Sequence, residues 1–174
     1  DSSAYIVGQA QPMKLAAMEA LYNGGTRQSL TAVAWISPFK QPDYANKKEP
    51  PARLSVPYAL SLLATHDPNG FVPGINDLIN GYTKNDGTKE PSVAEKMERG
   101  KRAIAALQQY RSGKKDETTK QILKNDMKYF GYGYVKSADQ VVPFIPINFW
   151  AFRIMVGLGM LFIAFFALTL FIVY

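Results

Sequence analysis

The C-terminal 28 residues constrain this chain more than any other part of it. Residues 147–174 read INFWAFRIMVGLGMLFIAFFALTLFIVY, and Arg153 is the only charged residue among them. A helix of about 20 residues crosses the hydrocarbon core of a bilayer, and residues 154–174 carry no charge at all. A buried helix of a soluble protein would show a polar face, whereas Thr169 is the only clearly polar residue after Arg153. The sequence therefore predicts one transmembrane helix over 147–174.

The preceding residues, 1–146, form a more polar unit that is long enough for one domain with a modest core. The chain starts at Asp1 rather than at a methionine and stops inside the apolar run. We therefore expect a piece of a larger, polytopic helical membrane protein. The predicted fold class is mainly α with minor β: a helical loop domain over 1–146, followed by the transmembrane helix.

Charge and residue content exclude several classes of function. Before the apolar segment there are 19 basic and 14 acidic residues, without a basic stripe or an aromatic RNA-binding motif, so nucleic acid is not expected as a partner. The excess of positive charge indicates either a hydrated lysine surface or a surface that is attracted to anionic lipid head groups. The chain has no cysteine, which excludes disulfides, zinc thiolate sites and iron–sulfur clusters. The single histidine, His66, cannot build a zinc site, and we assign it no role.

Proline, glycine and the spacing of apolar residues divide the first 91 residues into short elements. Residues 1–10 are predicted to be irregular, and a helix is predicted to begin at Pro12 and to end before Gly24. The remaining predictions are strands over 30–36 and 53–56, helices over 57–65 and 75–82, a flexible proline- and lysine-rich loop over 37–52, and a polar linker over 83–91.

The clearest helix of the domain is predicted over 92–112. Ser92 followed by Glu95 three residues later is a capping box, and Gly100 is the weak point of this helix. A further helix is predicted over 116–130 with Met127 among its inward residues, and the sequence GYGY that follows indicates a turn or a tight approach of two segments.

Arg153 and Met155 are the first candidates for chemistry because they lie where the apolar segment begins. An arginine at this position can extend to the lipid head groups, or its guanidinium can reach a haem propionate. A methionine in such a helix is usually a packing residue, but a thioether is also a neutral iron ligand that raises the potential of a haem. Gly159 lies one turn after Met155, so a flat macrocycle could lie against that face. The residues alone leave these alternatives open.

Lys14 and Glu19 form the second candidate pair. They are separated by about 140° around a helix and so do not form an i,i+4 ion pair. They could flank a small polar ring, because a lysine can donate to a quinone oxygen and a carboxylate can accept a quinol proton. Residue type alone favours the ordinary alternative, in which both belong to the hydrated face of an alanine-rich helix.

Two specific motifs, QPMKLAAMEA and FRIMVGLGM, occur in this chain in that order. With them, the chain resembles subunit I of bacterial cytochrome bd quinol oxidase, over the long form of the quinol-binding loop and the transmembrane helix after it. The resembling segments are DSSAYIVGQAQPMKLAAMEA (1–20), VPYALSLLAT (56–65), FGYGYV (130–135) and FWAFRIMVGLGM (149–160).

The resemblance implies a quinol site near the N-terminus of the chain. Lys14 and Glu19 match residues of that family that are implicated in quinol binding and oxidation. Asp1 and Tyr5 match an acidic and a tyrosine position near the same site.

The resemblance also implies haem cofactors. Met155 matches the axial ligand of the low-spin haem b that receives electrons from quinol, and Arg153 matches an arginine linked to that haem. The second axial ligand is a histidine of an earlier helix, which His66 does not match, so it lies outside this chain. A high-spin haem b and a haem d belong to the complete complex, and their ligands are also absent here.

The activity implied by the resemblance is that of a quinol:oxygen oxidoreductase, a terminal respiratory oxidase. The implied place is the bacterial cytoplasmic membrane, crossed several times, with 1–146 on the outer, periplasmic side. The implied partners are quinol, membrane lipid, the rest of subunit I and subunit II, and this piece alone is expected to be inactive. From the residues, a different class stays open: a non-enzymatic extracytoplasmic adhesion or scaffolding domain with a C-terminal membrane anchor.

Overall fold

The fold is mainly helical with short strands, as predicted. It is seen in a computed structural model that describes residues 2–46, 50, 53–113 and 115–173. The helices are α1 (Ser2–Ala10), α2 (Pro12–Glu19), α3 (Ala59–Thr65), α4 (Ile75–Asn80), α5 (Val93–Arg111), α6 (Glu117–Asp126) and α7 (Ile145–Val173), with 3₁₀ helices at Met127–Tyr134 and Ala138–Val141. The strands are β1 (Leu30–Ala34), β2 (Arg53–Val56), β3 (Tyr82–Thr83) and β4 (Lys89–Glu90).

The N-terminal segment forms α1, where the sequence predicted an irregular lead-in. Gly8 of α1 lies against α3, since a Cβ at this position would be 3.5 Å from the carbonyl oxygen of Ala64. The ring of Tyr5 stacks on His66 at the end of α3, with 4.4 Å between the ring centroids. A helix this short is marginal in water, so its packing against α3 accounts for its formation and for the wrong prediction.

Helix α2 begins at Pro12 as predicted but ends at Glu19, earlier than the expected stop before Gly24. Ala20 adopts a left-handed conformation with φ of 48°, and the N–H of Leu21 donates to the carbonyl of Ala16. These are features of a Schellman termination, here without the usual glycine. The early stop turns the chain away directly after Glu19.

Strands β1 and β2 form an antiparallel hairpin in which Leu30 pairs with Val56, with a bulge after Thr31. Between the strands, the described residues 37–46 contain no helix or strand, yet they are fastened to the start of α7. The side-chain oxygen of Gln41 accepts from the N–H of Ile145 at 2.9 Å, which caps the first turn of α7. The predicted loop is thus anchored over its described part.

Residues 83–91, predicted to be a polar linker, contain a second small hairpin formed by β3 and β4. Lys84 and Lys96 lie 2.9 and 2.8 Å from the carboxylate of Glu90. Gly87 has a φ of +80°, which suits the tight turn between the strands. The backbone pairing lies within residues 82–90, so the prediction of a linker was wrong.

Helix α5 begins after Ser92, whose hydroxyl accepts a hydrogen bond from the N–H of Glu95 at 3.2 Å. This is one of the two hydrogen bonds of the predicted capping box. Gly100 is a contact position rather than a defect: a Cβ there would lie 2.4 Å from the backbone nitrogen of Gly133. The GYGY segment therefore makes the predicted tight approach. Met127, expected to face inward, is 45% exposed, and Tyr129 is buried instead.

The main core joins the loop domain to the first turns of α7. Phe149 and Ile145 of α7 are fully buried there, against α2, β1 and α4. The buried members of this cluster are Ala16, Ala17, Ala20, Tyr22, Ala34, Ile36, Ile75, Leu78, Val142, Ile145 and Phe149.

Helix α7 has 29 residues and is about 43 Å long. Within the described ranges it is the one helix long and apolar enough to cross a membrane, with a window of mean hydropathy 2.7. It begins at Ile145, two residues before the predicted start. Beyond Arg153 its side chains are exposed, as expected for a surface that faces lipid or other helices.

Candidate functional site

Glu19 at the end of α2 and Arg153 in the third turn of α7 form a buried ion pair. Arg153 Nη2 lies 3.0 Å from Glu19 Oε2, and the two side chains are 11% and 2% exposed. The same carboxylate oxygen accepts from the N–H of Thr31 at 3.2 Å. The early end of α2 and the start of β1 thus bring three distant parts of the chain to one point.

The guanidinium of Arg153 is held by the loop domain on several sides. Its Nη1 donates to the carbonyl of Met18, and its Nη2 donates to the carbonyl of Thr31. The ring of Phe149 lies 3.9 Å from Arg153 Cζ, a cation–π contact. The side chain therefore turns into the protein and does not extend to the head groups. Arg153 Nε is buried without a hydrogen-bond partner among the described residues.

The electrostatics of Glu19 follow from this enclosure. Burial raises the pKa of Glu19 above its ordinary value of 4.5, because removal from water disfavours the charged form. The positive charge and hydrogen bond of Arg153 and the N–H of Thr31 oppose this rise. A carboxyl with a raised pKa is a better proton acceptor than an ordinary one.

Lys14 lies on a different face of α2 from Glu19, in agreement with their predicted separation around the helix. Lys14 is exposed, whereas Glu19 is buried. The lysine is therefore accessible to a ligand that approaches from solvent, whereas the glutamate is enclosed by the protein.

Tyr5 lies at a separate place, stacked on His66. It lines a cavity of about 460 Å³ together with Leu15 of α2, and neither Glu19 nor Arg153 contributes to that lining. This cavity thus does not coincide with the ion pair. Asp1 lies outside the described residues.

Met155 is two residues after Arg153 and points to another side of α7. Its side chain is 61% exposed. A Cβ on Gly159, one turn further along, would meet no atom within 4 Å among the described residues. The thioether and this open strip of helix fit a flat group held between α7 and a neighbouring helix.

Three contributors to the site were missed by the sequence prediction: Met18, Thr31 and Phe149. Met18 and Thr31 act through backbone groups, which every residue has, so no sequence signal marks them. Phe149 precedes Arg153 by four residues and therefore lies beside it on a helix, which is the one signal available for the cation–π contact.

Comparison with known proteins gives the family of this chain. Residues 1–174 match the family described as "Cytochrome bd terminal oxidase subunit I". The curated protein "Cytochrome bd-II ubiquinol oxidase subunit 1" of Escherichia coli (strain K12) is 30% identical over 178 residues, covering 92% of this chain and 31% of that protein. The chain thus spans about a third of the length of this relative. The match over its whole length confirms the resemblance of the motifs, and the chain belongs to the cytochrome bd terminal oxidase subunit I family.

Proposed function

We propose that this chain is the quinol-oxidising part of a terminal respiratory oxidase, a haem-containing quinol:oxygen oxidoreductase. The observation that carries the proposal is the buried Glu19–Arg153 pair at the start of an apolar helix, in a chain of this family. Burying two charges costs free energy, and ionisable groups whose pKa values are perturbed by burial and by a specific charge partner concentrate at functional sites. The E. coli relative is named a ubiquinol oxidase. For this chain we propose quinol as the substrate class.

Glu19 takes the proton of a quinol hydroxyl in this proposal. Arg153 favours the ionised carboxylate before the transfer, because its positive charge opposes the effect of burial on the pKa of Glu19. Once Glu19 is protonated, the guanidinium has lost its counter-charge, which favours onward release of the proton. The pair therefore resets the acceptor after each transfer.

Lys14 binds a quinol oxygen in this proposal. Its ammonium group is exposed, so its N–H donors are accessible to a ligand. We also propose Tyr5 and Asp1 for quinol binding, on the support of their match to the family, since Tyr5 lines a separate cavity and Asp1 lies outside the described residues. The exposed position of Lys14 and the buried position of Glu19 imply that quinol binds between surface and interior, near the end of α2.

The residues on α7 fit a low-spin haem b. Met155 would hold the haem iron through its sulfur. Other parts of the complete protein would supply the second ligand, a histidine, and would hold the high-spin haem b and haem d. When bound, the haem accepts the electrons that quinol gives up. Arg153 is already bound to Glu19 and two carbonyls, so we propose that it acts on the haem through its charge.

The complete protein would lie in the bacterial cytoplasmic membrane, with residues 1–146 on the outer side. Its partners would be the rest of subunit I, subunit II, membrane lipid and quinol. Protons removed by Glu19 would then be released outside the membrane.

The first test is Glu19→Gln in the complete oxidase. An amide of the same shape cannot accept the proton, so we expect quinol turnover to fall by about 10²-fold or more. Reduction by an artificial donor that bypasses the quinol site should change much less. Asp126→Asn is the matched control, because Asp126 is also a buried, ion-paired carboxylate and does not line the cavity that contains Tyr5.

Quinol turnover at the wild-type rate in Glu19→Gln would rule out the role of this residue. Equal losses with quinol and with the bypassing donor would indicate damage to the haems or to assembly instead.

The second test is the reduced-minus-oxidised absorption spectrum of Met155→Leu in the complete oxidase. Leucine keeps the apolar bulk but removes the sulfur, so we expect selective loss of the low-spin haem b signal while the d-type band persists. Met160→Leu is the control, because Met160 is similarly exposed on α7, at 65%. An unchanged low-spin signal in Met155→Leu would refute the assignment of the ligand.

A further inference from the structure

The β1–β2 hairpin presents an apolar face that no described residue covers. Val33 and Leu54 are directly paired across the hairpin and are 55% and 70% exposed. Because side chains two residues apart share a face of a strand, Trp35 and Val56 extend this surface, and they are 76% and 52% exposed. We call these four residues the outer hairpin face.

The opposite face of β1 is already packed. Thr31, Ala34 and Ile36 are buried against the core that includes α2 and α7. An antiparallel hairpin with one face on the core normally shows polar side chains to water on the other face. The outer hairpin face is apolar on both strands, so it is not built for water.

Helix α7 gives the depth of this hairpin. Residues 154–173 contain no charge and span about 30 Å, the thickness of the hydrocarbon core. Arg153 therefore marks the boundary of that core, and it donates to the carbonyl of Thr31 in β1. The strand begins at the level where head groups meet hydrocarbon.

The hairpin also stays at this level. The indole Nε1 of Trp150 donates to the carbonyl of Ile36 at 3.1 Å. Trp150 and Arg153 are only about 4.5 Å apart along the axis of α7, whereas Thr31 and Ile36 are about 16 Å apart along an extended strand. The strand therefore runs across the axis of α7 rather than parallel to it. The outer hairpin face consequently stays near the membrane surface.

The charge and aromatic content of this region suit a lipid surface. From Arg27 to Arg53 the sequence contains five basic and two acidic residues. Phe39, in the loop between the strands, is 92% exposed and is followed by Lys40. Basic residues attract anionic head groups, and aromatic rings, tryptophan above all, prefer the interfacial zone.

We infer that the outer hairpin face inserts into the interfacial zone of the lipid leaflet at which α7 begins. The occupant of this surface is phospholipid, with a preference for anionic head groups. This contact would hold the end of α2 and β1, and with them the Glu19–Arg153 pair, at a fixed depth. The inference requires that α7 crosses the membrane and is independent of quinol chemistry.

The test places a photo-crosslinking side chain on the outer hairpin face. p-Benzoylphenylalanine is introduced in place of Trp35 or Leu54 in the complete oxidase, which is reconstituted into nanodiscs of phosphatidylcholine and phosphatidylglycerol. After illumination, mass spectrometry identifies the adducts. Lys101, exposed on the charged face of α5, receives the same side chain as the control.

We expect phospholipid adducts from positions 35 and 54, enriched in phosphatidylglycerol, and none from position 101. Adducts with another segment of the oxidase would show that protein covers this face, and would overturn the inference. Absence of adducts at 35 and 54, in variants with the wild-type haem spectrum, would overturn it as well. The readout does not use turnover, so a failure of the Glu19 test would leave it unaffected.

Discussion

Replacement of Arg153 by methionine tests the buried ion pair most directly. Methionine keeps a long, apolar side chain but leaves the Glu19 carboxylate, 2% exposed, with the N–H of Thr31 as its remaining donor at 3.2 Å. Removing one partner of a buried ion pair destabilises a protein by about 3–5 kcal/mol, because the other charge is left uncompensated.

The expected loss depends on pH, and its sign follows from the carboxyl group. Burial already raises the pKa of Glu19 above 4.5, and removal of the opposing positive charge of Arg153 should raise it further. A folded-state pKa above the unfolded one means that the native state binds the proton more tightly. The stability that Glu19 contributes is therefore fully present below the unfolded pKa. It is lost as pH rises through the folded pKa, by up to about 1.4 kcal/mol per pH unit.

The assay is the melting temperature of the complete oxidase in detergent, from about pH 5 to about pH 8. Arg153→Met should approach the wild type in acid, apart from the lost hydrogen bonds to Met18 and Thr31, and should fall progressively behind it towards neutral pH. In the double variant Arg153→Met with Glu19→Gln, the pH-dependent part should disappear, because glutamine does not ionise. A loss that is the same at every pH, or that persists unchanged in the double variant, would refute the reasoning.

Two further predictions concern how the loop domain is assembled. Gly100→Ala should lower the free energy of unfolding by about 1–3 kcal/mol, because the new Cβ would lie 2.4 Å from the nitrogen of Gly133. Gly131→Ala is the control and should be nearly neutral, since its Cβ would meet nothing within 4 Å among the described residues. Melting temperatures of the two variants check this, and equal values would contradict the close approach. Gln41→Ala should cost about 1 kcal/mol and speed amide exchange at Ile145, because it removes the cap at 2.9 Å from the first turn of α7. Exchange at the wild-type rate would show that the cap does not hold this turn.

Local sequence predicted the elements whose signals lie within the elements themselves. The charge-free run marked α7 to within two residues of its start, and Ser92 with Glu95 marked the beginning of α5. Two elements were not predicted. Helix α1 forms on α3, and the β3–β4 hairpin was taken for a linker.

Gly100 shows the same limit within a correctly predicted helix. The sequence marks a glycine there as a weakness, since glycine lowers helix propensity. In the folded chain the missing side chain admits the backbone of Gly133. Only the partner segment reveals that the position requires a glycine.

The candidate site divides in the same way. The motifs QPMKLAAMEA and FRIMVGLGM indicated the family, and through it Lys14, Glu19, Arg153 and Met155, without any knowledge of the fold. Residue types and spacing alone left a hydrated helix face and a snorkelling arginine as the ordinary interpretations.

The tertiary structure decided which of these residues act on each other. Glu19 and Arg153 are 134 residues apart in the chain, and nothing in either motif refers to the other. Their contact depends on the left-handed turn at Ala20, on the carbonyl of Thr31 and on the packing of Phe149 into the core. The sequence by itself determined the membrane helix and the family, because each can be recognised from a contiguous run of residues. The ion pair and its burial arise only when distant segments exclude water together.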